Sequence, residues 1–467
     1  MNKYKKLINN SIIFAIGNLG SKFLQFILVP LYSFTLSTSD FGTADFLTQL
    51  VYLLTPIVSL ELYDAAFRYA LDKAENKFVL FNTVNTILLG VSLLVFFVAP
   101  FLATIFYNYH IFITAIFLVA NVYFSFLSNF VRAIGYVKQF AVSGIVNTFF
   151  MGTSSVILLV FFKLGLRGYL ISFSIGLIAG CIYVVLSTGL GRFFRFDSFN
   201  KLKLIGMLKY SLPLIPNYFA WWLNSSSDRL FIITMIGASA NGIYAMATKI
   251  PNLINLLTMI FSQSWQISIV EEYKNKNSKR FVSNVFISFF SILVIGGILI
   301  VISIKPIYGL VLDKSYYQGW KLTPLLVLAV IYSGLSILLE GVYTAYKKTF
   351  SVLITTIVGA IINVLLTIFL IPIMGVYGAA LANTISFLVV AMMRMIEIKK
   401  LGLLALDMKR ILIYHLAFFF VTFITFNEKS VFITMFIGIL TVGVLILLDK
   451  NIIRQMEVIL HKKINKS

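Results

Sequence analysis

The chain has 467 residues, 60% of them hydrophobic and 12% charged, a balance far outside that of soluble globular domains. A net charge of +21 would suit nucleic acid in a soluble protein, but in a membrane chain a basic excess belongs to loops on the cytoplasmic side. One cysteine, Cys181, and three scattered histidines, His110, His415 and His461, exclude a disulfide framework and a Cys/His metal centre.

Long apolar runs predict an all-α polytopic membrane protein with about 14 transmembrane helices. They fall near 9–35, 41–63, 78–106, 111–134, 140–162, 168–190, 206–236, 239–269, 281–304, 323–345, 350–373, 376–396, 411–427 and 430–449. With the N-terminus inside, segments 3–6, 68–77, 132–138, 192–209, 274–280, 347–348, 394–410 and 450–466 hold most of the 38 basic residues. The outer segments hold Lys163, Arg167, Lys305, Lys314, Lys321 and Lys429, while Lys22, Arg229 and Lys249 fall within spans. This bias predicts an inner-membrane protein with both termini cytoplasmic. The basic opening "MNKYKKLINNSIIFAIG" runs into apolar sequence without a small-residue cleavage pattern, so it reads as a retained first span.

The first span carries a polar stripe of Ser11, Asn18, Lys22, Gln25 and Tyr32 at helical spacing, which places Lys22 between amides on one face. In the second, Glu61, Asp64 and Arg68 fit an i, i+3, i+7 cluster with a gating or structural role, and Glu340 holds a similar place in the tenth. The hairpin "LSTSDFGTADFLTQLVYLL" aligns without gaps with "IGASANGIYAMATKIPNLI" at an offset of about 200, matching Ser39 with Ser239 and Gly42 with Gly242. A second pair, "LGLRGYLISFSIG" and "MGVYGAALANTIS", shares a Gly-x-x-Gly turn, Gly165 with Gly375 and Gly168 with Gly378. An even number of spans separates the matched hairpins, so the halves enter the membrane in the same sense. Two six-helix lobes related by a pseudo-twofold along the membrane normal, rocking about a central substrate site, follow from that parity. The predicted domains are 1–190, a cytoplasmic linker at 191–205, 206–400, and two additional helices with a basic tail at 401–467.

The seventh span contains "WWLNSSSDRLFIITMIG", with Asp228 and Arg229 adjacent. Each ionisable group near the bilayer centre costs about 2.5–3.5 kcal/mol on insertion scales, so it faces a partner or a wet cavity. Neighbours on a helix point about 100° apart, which predicts that these two do not neutralise each other. Asp228 and Lys249 lie at depths of ~14 and ~18 Å from the same outer turn, so they are the expected pair, leaving Arg229 for the substrate path. In the eighth span Lys249 edges a polar stripe, and Pro251 predicts a kink. The cationic balance of Lys22, Arg229 and Lys249 against Asp228 suits an anion such as a diphosphate, with Asn18, Gln25, Asn224 and Trp222 as further contacts.

The stretches "NLGSKFLQFILVPLYSFTLSTSDFG", "SLPLIPNYFAWWLNSSSDRLFI", "NGIYAMATKIPNLI" and "GVYGAALANTIS" resemble the polysaccharide and oligosaccharide-lipid flippases of the multidrug/oligosaccharidyl-lipid/polysaccharide exporter superfamily. The resemblance implies two six-helix bundles around a cationic cavity, two extra C-terminal helices, and translocation of undecaprenyl-diphosphate-linked oligosaccharide repeats to the outer leaflet. It also implies polysaccharide polymerase machinery as a partner, no cofactor and no enzymatic step. Family members commonly place an arginine where Lys22 stands, so the charge is kept while the bidentate fork is lost. Rival readings are an ion-coupled multidrug exporter of the same fold, which needs carboxylates deep in the lobes, and a membrane polymerase, which needs outer loops or acid pairs. The longest outer segment, "IKPIYGLVLDKSYYQGWK", holds one acid, Asp313, and no phosphate-binding G-x-x-x-x-G-K-[ST] loop occurs.

Overall fold

A computed structural model describes Gly20 and residues 23–105, 110–194, 198–272, 277–346 and 348–448, within which every regular element is helical. In chain order these are α1 (Phe23–Thr35), α2 (Thr38–Val58), α3 (Leu62–Ala70), α4 (Lys77–Ile105), α5 (His110–Ala133), α6 (Val137–Val156) and α7 (Gly165–Thr188). Then follow α8 (Lys201–Ser211), α9 (Ile215–Met235), α10 (Ala238–Lys249), α11 (Asn252–Glu272), α12 (Ser278–Leu310), α13 (Thr323–Ala345), α14 (Thr349–Met374), α15 (Val376–Lys400), α16 (Met408–Asn427) and α17 (Val431–Leu448).

Twelve of the described helices are long and apolar enough to cross a bilayer, and they coincide with the predicted spans apart from the first and seventh. For the first, α1 covers the described portion. The seventh is α9, whose 21 residues rise ~31 Å and match a ~30 Å hydrocarbon core, but whose Asn217, Asn224, Asp228 and Arg229 make it polar. Prolines and local chemistry break three of the expected continuous spans. The second divides after Pro56, where Leu60 and Glu61 both adopt positive φ (51° and 54°), into α2 and α3. The seventh begins as α8 and passes through a 3-10 turn at Leu212–Leu214 into α9, and the eighth divides at Pro251 into α10 and α11.

Local capping places these ends. The Ser37 hydroxyl accepts the Asp40 amide at 3.0 Å to start α2, and the Asp407 carboxylate accepts the Arg410 amide at 3.1 Å to start α16. At the turn into the 3-10 segment Lys314–Lys321, hydrogen bonds from the Ser315 hydroxyl and amide hold the Asp313 carboxyl below the usual carboxylate range. The aligned Gly165 and Gly375 both take positive φ, 54° and 58°, which a side chain would resist.

The chain divides into two compact units. One runs to Trp222 and takes in Gly237–Gly242. Its core holds two clusters of rings in mainly edge-to-face or tilted contact, Tyr32, Phe41, Tyr169 and Phe173 in one and Phe81, Phe126 and Phe130 in the other. The basic stretch expected as a linker docks on this unit through α8: the Asn200 amide donates to Thr83 Oγ1 at 3.1 Å and Lys203 pairs with Glu75. Within the same unit α2 meets the start of α10 reciprocally. A Cβ on Gly42 would overlap the Ala238 carbonyl oxygen, and one on Gly242 would overlap that of Thr38. Thr38 and Ser239 hydroxyls bond at 2.7 Å, and Asn241 Nδ2 donates to the Gly42 carbonyl at 2.7 Å. Residues aligned by the repeat thus touch one another, packed as small-residue helices do in membranes.

The other unit comprises Leu223–Ile236 and the chain from Ile243. Its core joins Trp265, Phe286, Phe290, Ile298, Ile331, Leu335 and Leu339 to Tyr414, Phe418, Val421 and Leu445, so α16 and α17 are packed against α12. A Cβ on Gly438 would strike Ile302, and Lys305 Nζ donates to the Glu428 carbonyl at 2.9 Å. Exposed Phe97, Leu186, Ile373, Phe432 and Leu447 are the hydrocarbon-facing side chains expected of a lipid-embedded protein.

Candidate functional site

In the second unit a chain of buried polar groups crosses α9, α10, α14 and α15. It starts at Asp228, 1% exposed, whose Oδ1 accepts from both the Arg229 amide and Arg229 Nη1 at 2.9 Å. Its Oδ2 accepts from the Tyr244 hydroxyl and, at 3.1 Å, from Asn383 Nδ2. The Arg229 guanidinium lies 5.7 Å from the centre of the Tyr244 ring. One turn earlier, Ser386 Oγ donates to Asn224 Oδ1 at 3.3 Å, while Asn363 Nδ2 donates to Ser386 at 3.3 Å and Ser227 donates to Asn363 Oδ1 at 3.2 Å. Charge, hydroxyl and amide satisfy one another in a low-dielectric setting where an unmet group would be costly.

Asp228 thus pairs with its neighbour Arg229, where the sequence pointed to Lys249. The 100° separation on the helix is bridged because the Asp228 side chain folds onto the next amide and the long Arg229 side chain curls back over Tyr244. Lys249 ends α10, half-buried.

In the first unit a cavity of about 290 Å³ is lined by Tyr52, Thr55 and Pro56 of α2, Asn121 and Ser125 of α5, and Tyr218, Trp221 and Trp222 of α9. Asn121 Nδ2 donates to Thr55 Oγ1 at 2.8 Å. Trp222 is buried with its Nε1 donating to the Gln49 carbonyl at 3.0 Å, whereas Trp221 is 62% exposed. Asp64 accepts from the Tyr218 hydroxyl at 3.0 Å, and Glu61 lies buried with Tyr63, Asp64 and Tyr218 as electrostatic neighbours. Arg68 is exposed on α3. Glu61 stands at the N-cap of α3 in a left-handed conformation, ahead of the helix that carries Asp64 and Arg68, so the three do not lie on one continuous helical face.

Glu340 pairs with Arg394 at 3.2 Å. Arg394, read from sequence as the edge of a cytoplasmic segment, is buried inside α15, where Nη1 reaches the Ser336 carbonyl at 2.8 Å and Nε and Nη2 reach Thr355 and Thr356 at 3.0 and 3.1 Å. Gln25 is half-buried on α1, and Asn18 and Lys22 lie outside the described residues. Sequence reasoning also passed over Asn383, although it stands in the quoted "GVYGAALANTIS", where only the glycines were used. Asn363 and Ser386 carried no signal beyond being polar in an apolar run.

The polysaccharide biosynthesis protein family matches residues 7–266, more than half of the chain. An uncharacterised membrane protein of Methanocaldococcus jannaschii is 22% identical over 431 residues, covering 84% of this chain and 99% of that protein. Among solved structures, lipid II flippase MurJ in an inward closed conformation is similar at a TM-score of 0.69 and 15% identity, covering 93% of this chain and 98% of its own. An inward-facing multidrug resistance MATE family transporter of the MOP superfamily is similar at a TM-score of 0.66 and 10% identity, covering 81% and 94%. The chain thus belongs to the polysaccharide biosynthesis protein family, and its multi-pass helical fold is that of the MOP superfamily transporters.

Proposed function

We propose that this protein is a flippase that carries undecaprenyl-diphosphate-linked oligosaccharide repeats from the inner to the outer leaflet by alternating access, for a cell-surface polysaccharide. The observation that carries the reading is the family match over residues 7–266, joined to a fold shared with a lipid II flippase. In this reading the protein sits in the cytoplasmic membrane with both termini inside, hands its cargo to polymerase machinery, performs no bond chemistry itself and takes no cofactor or nucleic acid. The two six-helix repeats, 1–190 and 206–400, are the moving lobes.

Lys22, with Asn18 and Gln25, contacts the diphosphate, and Lys249 and Arg229 add positive charge, Arg229 oriented by Asp228 and supported by Asn224. The aromatic cavity of the first unit suits a sugar ring, which an exposed indole can stack upon. Trp221 is the better platform there, since Trp222 is tied to the Gln49 carbonyl. Glu61, Asp64, Arg68 and Glu340 are gating or structural charges.

The test is deletion of the gene followed by analysis of lipid-linked oligosaccharides by leaflet. Accumulation of a diphosphate-linked repeat on the cytoplasmic leaflet, with surface polysaccharide lost, is the expected result. Unchanged glycan with new sensitivity to cationic drugs would overturn it in favour of a multidrug exporter. At Lys22, alanine should stop export with near-normal membrane abundance, and arginine should retain it.

A further inference from the structure

We propose that the basic end of the second unit holds a site for the phosphodiester headgroup of an anionic membrane lipid, separate from the transported cargo. A cavity of about 510 Å³ lies between the first turns of α12 and the segment leading into α16, within the size range of small-ligand sites. Lys279 and Arg280 of α12 and Arg410 of α16 line it, while Phe286 and Ile287 form an apolar floor. The acid on its wall, Asp407, caps α16 through the Arg410 amide, and against it the cations Lys279, Arg280 and Arg410 leave the lining net positive. Two helices, α12 from Ser278 and α16 from Met408, begin at this cavity, adding the positive ends of two helix dipoles.

The cavity is held in shape rather than left as a loose loop. The Ala405 amide donates to Ser283 Oγ at 2.8 Å, fastening the connection onto α12, and Ser278 bonds the Tyr346 hydroxyl at 3.4 Å. Its position selects a lipid over a soluble anion. The 33 residues of α12 rise ~50 Å against a hydrocarbon core of ~30 Å, so Lys279 and Arg280 stand at headgroup level or beyond. The next turns of α16 expose Met408, Leu412 and Leu416 as hydrocarbon contacts. Polar mouth, cationic wall and apolar floor match a phosphate with the start of its acyl chains, and clustered basic residues at a helix end are the usual recognition element for acidic lipids.

The test uses the full chain in nanodiscs of phosphatidylcholine with phosphatidylglycerol, with bound lipid counted by native mass spectrometry, a readout independent of transport. Wild type should retain phosphatidylglycerol, and Lys279→Gln, Arg280→Gln and Arg410→Gln should each weaken retention about fivefold, the effect of about 1 kcal/mol per basic residue. Lys399→Gln with Lys400→Gln, exposed on α15 outside the cavity, should leave retention unchanged. If Arg410→Gln does not fold, the exposed Lys279 and Arg280 decide the matter alone. Equal retention by wild type and these variants overturns the site. A large excess of inorganic phosphate that displaces the lipid and protects the protein from thermal unfolding as well as the lipid does would instead make it a free-phosphate site and overturn the lipid assignment. Either failure leaves the flippase reading standing, since neither measurement involves the cargo.

Discussion

A carboxylate buried beside a guanidinium persists only if its remaining lone pairs are met, and at Asp228 the Tyr244 hydroxyl and Asn383 amide both donate to Oδ2. Removing one member leaves the other as an uncompensated buried charge. Asp228→Asn and Arg229→Gln should each cost about 3–5 kcal/mol, and the double variant less than their sum. Thermal unfolding in detergent measures all three. Lys249→Gln should give Asp228→Asn no recovery; recovery by Lys249→Gln and none by Arg229→Gln would return the pair to Lys249. Tyr244→Phe deletes one donor and should cost about 1–3 kcal/mol, the penalty of an unmet buried acceptor.

Among the elements, the reciprocal contact of α2 with the start of α10 depends on two glycines whose missing side chains let backbone meet backbone. Gly42→Ala or Gly242→Ala must push the helices apart, because the atom in the way is a carbonyl oxygen that no rotamer change can move. Either should cost at least about 1–3 kcal/mol and reduce membrane abundance, checked by immunoblot and unfolding. Normal abundance and stability in both would show that the helices separate freely. The α13–α15 pair is asymmetric in the same sense: the Arg394 side chain is buried, while that of Glu340 is 47% exposed. Glu340→Gln should therefore cost about 0–1 kcal/mol, and Arg394→Gln about 1–3 kcal/mol through the orphaned Ser336 carbonyl and threonine hydroxyls. Equal effects would mean the ion pair, rather than the hydrogen bonds, holds Arg394.

For the whole molecule the testable quantity is topology. In a background with Cys181 replaced, cysteines at Ser239 and Ser315 should label from outside intact cells, and those at Asn277 and Lys399 should not. All four positions are exposed, so a failure to label reports sidedness rather than burial. Labelling of Asn277 from outside would sink the fourteen-span arrangement and with it the inward placement of the basic cavity. The two additional helices, α16 and α17, share the core of the second unit with α12. Truncation before α16 would expose Phe290, Val294 and Ile302 to lipid, so that variant is expected to lose abundance as well as activity.

Hydropathy and the distribution of lysine and arginine by themselves determined that the chain crosses the bilayer many times, because a span needs only enough consecutive apolar residues and each insertion is local. The repeat was also legible: Gly42 and Gly242, found by alignment, are the residues that touch, and Gly165 and Gly375 both take the positive φ that glycine adopts most readily. What the sequence left open was direction and partnership within a span. The same helical rule that set Asp228 and Arg229 apart could not weigh a flexible side chain against a tyrosine sixteen residues on and an asparagine from α15. Nor could it place Glu61, where two successive left-handed residues turn the backbone and replace a charged face with a buried carboxylate. Spacing along a chain specifies faces of a helix that continues; only packing between helices decides where the helix stops and which charge a buried group finds.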